Sequence, residues 1–483
     1  MVPRPEACRG LGMFLGGMDF SKNPDGGSQL LVVSNRGPIS FVRDDDGRVR
    51  PRRGAGGLVV TLGPGAERDS ALWLAAATSQ EDREGAEGGA VSTGGLRYSP
   101  VVIDPDDYAA YYDVVANQTL WFCLHGLWDR ARRPRFDRHW WAAWERYRAV
   151  NATFAGAAAA AAGEGATVLV QDYQLALVPG LLAARRPDLR ISTFLHTPWC
   201  CPQELATLPD PVASDLIAGL SGGGPCGFHT ARWAAAFSDC ARELVGTEPA
   251  TFVAPAATDL EDLRAVAASE ACSEELRRLE QVVGDRRMIV RVDRIEPSKN
   301  VLRGFWAFDA LLESRPDLRG GVVFAAMVYP SRTGLAEYQA YGQEVTALAE
   351  RINQRWGGPD WTPILLDPDD NYPRSVAALR RADVLLVNPV RDGLNLVAKE
   401  GALVNDRDGV LVLSHEAGSW AELGAASVGV NPFDVTGTAA ALARALDMDR
   451  AERGAMAAAL RHAAGARSPL DWFDDLVAHA GTA

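Results

Sequence analysis

Lysine is nearly missing from this chain: of its 49 basic residues, only Lys22, Lys299 and Lys399 are not arginine. Arginine replaces lysine at little cost on a solvated surface. At a phosphate or in a buried site, a compact ammonium and a planar guanidinium are not equivalent. Lys22 lies in a polar N-terminal stretch. Lys299 closes Arg294-Ile-Glu-Pro-Ser-Lys299, and Lys399 sits in Arg391-Asp-Gly-Leu-Asn-Leu-Val-Ala-Lys-Glu400. Both stretches are motif-like, and a lysine that persists in them marks a place where the head group matters.

Other absences narrow the chemistry. Seven cysteines in 483 residues include no C-x-x-C pair, so neither a zinc ribbon nor a disulfide framework is supported, and a reducing cytoplasm is the expected location. No apolar run reaches about 18 residues, which argues against a membrane helix. The N-terminus has Gly, Pro and Asp where a signal peptide needs an apolar core. No lysine follows a glycine, which excludes a P-loop, and no G-x-G-x-x-G follows the first apolar run. The seven histidines form no H-x-x-H or H-E-x-x-H pair, so no metal is expected. Asp104-Pro-Asp-Asp107 and Asp367-Pro-Asp-Asp370 read as surface turns. A net charge of -13 argues against nucleic acid or an anionic membrane as partner. An anionic ligand must then be met by a local arginine cluster.

What is present is a series of short apolar runs at 29–34, 167–170, 191–195, 288–292, 322–326, 384–387 and 410–413. Helical stretches at 140–162, 231–245, 302–313 and 335–356 lie between them. Short apolar strands alternating with helices predict an α/β fold with parallel sheets covered on both faces. Residues 1–28 read as a loose tail, 29–260 as a first α/β unit and 261–483 as a second. The final helix is expected to pack back on the first unit. The stretch 254–284 has no strand-like run and is the expected hinge.

Doubly wound sheets bind ligands outside the carboxyl ends of their strands, so the residues that follow each run carry the functional argument. The first run leads to Arg36 and then to Arg52-Arg53-Gly54-Ala-Gly56-Gly57, where glycines let a backbone approach an anion closely or form a hairpin loop. Asp172 and His196 follow two adjacent runs, as groups for sugar hydroxyls. Arg294 and Lys299, five residues apart, can face one phosphate as a fork and a point charge. Arg332 follows the run at 322–326. Backbone N–H groups at Gly393, Leu394 and Asn395 open a helix and suit an anion, while Asp392 and Glu400 can accept from sugar hydroxyls. A loop with anion donors and hydroxyl acceptors together suits a nucleotide sugar.

These motifs, with Val32-Val-Ser-Asn-Arg36, Tyr111-Tyr112, Trp121, Gln171-Asp-Tyr173, Phe194-Leu-His-Thr-Pro198 and Gly227-Phe-His-Thr230, resemble the trehalose-6-phosphate synthases. Those are retaining glycosyltransferases of GT-B architecture, with two facing Rossmann-like doubly wound domains and the active site between them. The resemblance runs from Leu31 to Asp474, and the composition is similar to actinobacterial members. It implies transfer of glucose from a nucleoside-diphosphate glucose to glucose 6-phosphate, without cofactor or metal. It implies that Arg294 and Lys299 hold the diphosphate, with Gly56 and Gly57 close to the donor. Gly393, Leu394 and Asn395 would bind the donor through backbone, Asp392 its sugar and Glu400 its ribose, with His196 on the transferred glucose. Arg36, Tyr112, Trp121 and Arg332 would hold glucose 6-phosphate, with Asp172 on an acceptor hydroxyl. Homo-oligomerisation stays open.

Three departures from the family pattern stand out. The family's His-Asp-Tyr-His is Gln171-Asp172-Tyr173-Gln174, its Gly-Phe-Gln-Thr has His229, and its Pro-Ile-Gly-Ile is Ala254-Pro-Ala-Ala257. The first two are expected near the sugars and the third at the hinge. Two other readings stay open. One is a pseudo-glycosyltransferase joining cyclitols, and the other is a non-catalytic homologue that binds sugar phosphate.

Overall fold

The computed structural model describes residues 27–44, 46–54, 57–87 and 89–481; the expected tail up to residue 26, and Gly56, lie outside the described residues. Sixteen strands occur among them: β1 (Ser28–Ser34), β2 (Ile39–Arg43), β3 (Val49–Arg53), β4 (Leu72–Ala76), β5 (Val91–Thr93), β6 (Leu96–Val101), β7 (Ala162–Gln171), β8 (Arg190–Leu195), β9 (Cys226–Phe228), β10 (Thr251–Val253), β11 (Arg287–Ile295), β12 (Val322–Pro330), β13 (Ile364–Asp367), β14 (Val384–Val387), β15 (Val410–Ser414) and β16 (Val428–Val430). They build an eight-stranded sheet ordered β10-β9-β8-β7-β1-β4-β6-β5, a six-stranded sheet ordered β13-β12-β11-β14-β15-β16, and the hairpin β2–β3. All pairs are parallel except β5 with β6 and β2 with β3.

Helices on both faces explain why β14 and β15 are buried at every residue and read as unbroken apolar runs. The helix Arg138–Ala161 is capped by Asp137, which accepts from the N–H groups of His139 and Trp140. Its alanine-rich second half extends it until Ala162 turns to extended backbone and opens β7. Among the described residues, no helix is long and apolar enough to cross a membrane.

The stretch 254–284 is not a hinge throughout. Helices Leu260–Ala267 and Glu270–Val283 fill most of it and pack beside the second sheet on the helix Tyr372–Arg381. Buried Leu263, Cys272, Leu279 and Val283 form their inner face, and the charged residues between them hide that spacing from a search for strands. Of this stretch, only residues 254–259 cross between the two sheets.

Chain order fixes where a ligand can sit. In the first sheet the chain runs outward from β1 through β4 to β6, then restarts at β7 and runs the other way. In the second it runs from β11 to β13 and restarts at β14. The order therefore reverses between β1 and β7, and again between β11 and β14. A crevice opens outside the strand ends at each such point. The helix Pro469–His479 ends the described chain and lies on the first sheet, with Trp472, Phe473 and Leu476 fully buried.

Candidate active site

Both crevices hold the residues singled out by sequence. Arg36 leaves β1, and Asp172 follows β7 in a left-handed conformation (φ 71°). Burial pushes the Asp172 carboxyl up to about 6, even though it accepts hydrogen bonds from the backbone of Tyr173 and His196. His196 Nε2 lies 3.0 Å from Gln171 Oε1, within hydrogen-bond distance. Burial lowers His196 to about 4, so the ring is neutral near pH 7.

Tyr112 and Trp121 come from the helical segment that spans residues 105–124. The Arg36 guanidinium stands 5.9 Å from the centre of the Tyr112 ring. Burial alone would raise the Tyr112 phenol, but Arg36 and Arg332 beside it bring it below its ordinary value. Arg332, also left-handed (φ 47°), reaches across from the second sheet to lie 4.1 Å from the centre of the Trp121 ring. His125 also stacks on the Trp121 indole, 3.9 Å between ring centres, and is held neutral by burial.

Glu296 ties together two cations of the second sheet, one of which, Arg332, reaches Trp121 of the first unit. Its carboxylate is fully buried, yet Oε1 lies 3.0 Å from Arg294 Nη1 and 3.2 Å from Arg332 Nη1, and it accepts from Ser331 Oγ at 2.9 Å. Burial opposes its ionisation, and the arginines outweigh that, keeping it below the usual glutamate value. One anion thus positions a cation from β11 and a cation that follows β12. Tyr338 supports Arg332 further by accepting from Nη1 at 2.8 Å.

On the second sheet, Lys299 Nζ donates to Asp392 Oδ2 at 2.6 Å. Burial pulls the Lys299 ammonium down, but Asp392 and Asp293 outweigh it and hold it above the ordinary lysine value. Asn395 (φ 77°) also donates to Asp392 and caps the helix Leu396–Val404 by accepting from Ala398 N. Among the described residues, no acceptor meets the backbone N–H groups of Gly393, Leu394 and Asn395. Glu400 lies on the same helix, its carboxyl raised to about 7 by burial and by the charge of Asp262. A side chain at Gly393 would run into the His196 carbonyl, so the two sheets touch through backbone there. Trp233 Nε1 donates to the Gly393 carbonyl at 3.1 Å, and Arg391 pairs with Glu204 at 2.8 Å across the same gap.

The structure therefore brings together Arg36, Tyr112, Trp121, Asp172, His196, Arg294, Lys299, Arg332, Asp392, Gly393, Leu394 and Asn395, and places Glu400 on the helix that follows, beside Asp262. Gly57 opens the helix Gly57–Arg68 and is exposed, with no neighbour crowding it. Arg52 and Arg53 belong to the hairpin strand β3. His229 lies at the crossing segment, where its Nδ1 accepts from Ala256 N at 3.3 Å, and its ring stands 5.4 Å from that of His196. Sequence reasoning passed over Glu296, His125, Tyr338 and Glu204. Glu296 alone carried a signal, since it stands between Arg294 and Lys299.

Comparison with known proteins agrees with this geometry. The model of glycosyltransferase family 20 matches residues 28–481. The trehalose-6-phosphate synthase of Mycolicibacterium smegmatis is 34% identical over 94% of this chain and 93% of its own. A trehalose-6-phosphate protein from E. coli, bound with UDP-2-fluoro glucose, superposes with a TM-score of 0.83 at 28% identity, covering 94% of this chain and 99% of that one. An α,α-trehalose-phosphate synthase (UDP-forming) from Burkholderia xenovorans, in complex with glucose-6-phosphate, gives 0.80 at 30% identity, covering 92% and 98%. Two Rossmann-like units facing across a cleft are the GT-B arrangement, and this chain belongs to glycosyltransferase family 20.

Proposed function

We propose that the protein moves glucose from a nucleoside-diphosphate glucose to glucose 6-phosphate, giving α,α-trehalose 6-phosphate. The observation that carries the reading is the Arg294–Glu296–Arg332 bridge, which holds one cation for each of two phosphorylated substrates on either side of a single point. Relatives that carry UDP-2-fluoro glucose or glucose-6-phosphate support the same pairing of substrates. Residues 29–260 serve as the acceptor unit and 261–483 as the nucleotide-sugar unit.

In the reaction, the bond from glucose C1 to the diphosphate oxygen breaks while C1 bonds to the acceptor hydroxyl oxygen on the same face. The hydroxyl proton passes to the departing phosphate oxygen. Negative charge grows on the diphosphate, where Lys299, Arg294 and the N–H groups of Gly393, Leu394 and Asn395 stabilise it without reorganising. Asp392, now paired with Lys299, then turns to the donor sugar hydroxyls. Neutral His196 lines the transferred glucose, Glu400 accepts from the ribose, and Gly57 leaves the donor unobstructed. Arg36, Arg332, Tyr112 and Trp121 hold the acceptor phosphate and ring while Asp172 accepts from an acceptor hydroxyl. Retention by same-face attack needs no glycosidase-type carboxylate pair.

Among donors we propose GDP-glucose as preferred over UDP-glucose, on the actinobacterial character of the composition. The test is product formation from glucose 6-phosphate with each donor in parallel, read by mass and NMR. An α,α-1,1-linked disaccharide phosphate is expected, with the higher kcat/KM for GDP-glucose. Another linkage, or no product from any nucleotide-glucose, would overturn the reading.

A further inference from the structure

Lys399 persists in an arginine-rich chain, yet it touches neither face of the cleft. Its side chain is 2% exposed. Nζ donates to the Ala256 carbonyl at 2.8 Å and pairs with Glu422 at 2.7 Å. Ala256 lies in the segment that crosses between the sheets, and its N–H is the one accepted by His229 Nδ1. The buried His229 ring stands edge-on to Phe194 and 5.4 Å from the His196 ring. An unbroken set of contacts thus runs from His196 through His229 and Ala256 to Lys399 and the helix Leu396–Val404. That helix begins at Asn395 and carries Glu400 beside Lys399.

We infer that Lys399 is a positioning residue for the donor: it pins the helix Leu396–Val404 to the crossing segment, and so sets Gly393–Asn395 and Glu400 at a defined place relative to His196. The inference rests on the reading of those groups as donor-binding. It also accounts for the lysine. A closed space offering one carbonyl and one carboxylate suits a point charge with three donors, whereas a guanidinium brings five N–H groups in a fixed fork and would bury some unpaired. An ion pair kept only for stability would behave otherwise: removing one partner leaves the other charge unpaired and lowers stability, with no selective effect on nucleotide affinity.

Lys399→Met, Lys399→Arg and Glu422→Gln in the full chain test this. Titration calorimetry reads UDP and GDP binding, kinetics read the KM for glucose 6-phosphate, and thermal melting reads the fold. Lys399→Met should melt cooperatively and bind nucleotide about tenfold more weakly or worse, with the KM for glucose 6-phosphate unchanged. Lys399→Arg should not restore binding, and Glu422→Gln should weaken it in the same sense but less. If Lys399→Met does not fold, Glu422→Gln decides the matter. Parental nucleotide affinity in the folded variants would overturn the inference, as would equal losses for nucleotide and glucose 6-phosphate. Failure of the parent to bind either nucleotide would remove the donor reading and this inference with it.

Discussion

Buried carboxylates titrate late, and two of the proposed substrate ligands are of that kind. Asp172 rises to about 6 through burial, and Glu400 to about 7 through burial and Asp262. Each must be ionised to accept a substrate hydroxyl. Activity should therefore fall as pH drops through about 7 and again through about 6, with the first limb lost in Glu400→Gln and the second in Asp172→Asn. Profiles identical to the parent in both variants would contradict these roles. The stability effect has the opposite sense. Both folded values lie above the unfolded carboxyl value of about 4, so the neutral form favours the fold. That contribution is complete below about pH 4 and is lost as pH rises through about 6 and 7. Lys299→Ala should lower kcat/KM about 10²-fold, as expected on removing one preorganised charge from a transition state, and steady-state kinetics would show it. The cations of the site were legible because arginine and lysine stand out at strand ends. His125 and Tyr338 were not, because a residue whose work is to hold another side chain leaves only its own type in the sequence.

Among elements, legibility followed composition. The strands β1, β7, β8, β11, β12, β14 and β15 each contain a short apolar stretch and could be read directly. In contrast β4 is Leu-Trp-Leu-Ala-Ala, and β6 interrupts its apolar residues with Arg97, Ser99 and Pro100. The hairpin strand β3, Val-Arg-Pro-Arg-Arg, is mostly exposed and gives no alternation at all. Three-residue strands such as β9, β10 and β16 are too short for any period to register. In the loop into the helix Leu396–Val404, Gly393 lies against the His196 carbonyl, which any side chain there would meet. Gly393→Ala should force that loop away from the first sheet. A displacement near 1 Å costs about 10²-fold in rate, so kcat/KM should fall to that extent while the melting temperature stays near the parent's. Undiminished kcat/KM would show that the loop can yield.

At the scale of the molecule, the two units are joined twice. The first passage is residues 254–259. The second brings the chain back from the helix Arg450–Ala464 to the helix Pro469–His479 on the first sheet. The passages meet where Trp472 Nε1 donates to the Ala254 carbonyl at 3.0 Å. Trp472→Ala should cost about 3–5 kcal/mol as a large buried aromatic, read as a fall in melting temperature. A melt unchanged by the substitution would show that the terminal helix is not part of the first unit's core.

That return has a consequence for synthesis. Chains emerge from the ribosome N-terminus first, and units that are contiguous in sequence can fold as they appear. Here the first sheet emerges early but waits for residues 469–479 to cover its face. The second unit, wholly encoded before them, can close first. The half of the enzyme made earliest is thus the last to be finished, and until then its uncovered apolar face is a natural client for a chaperone.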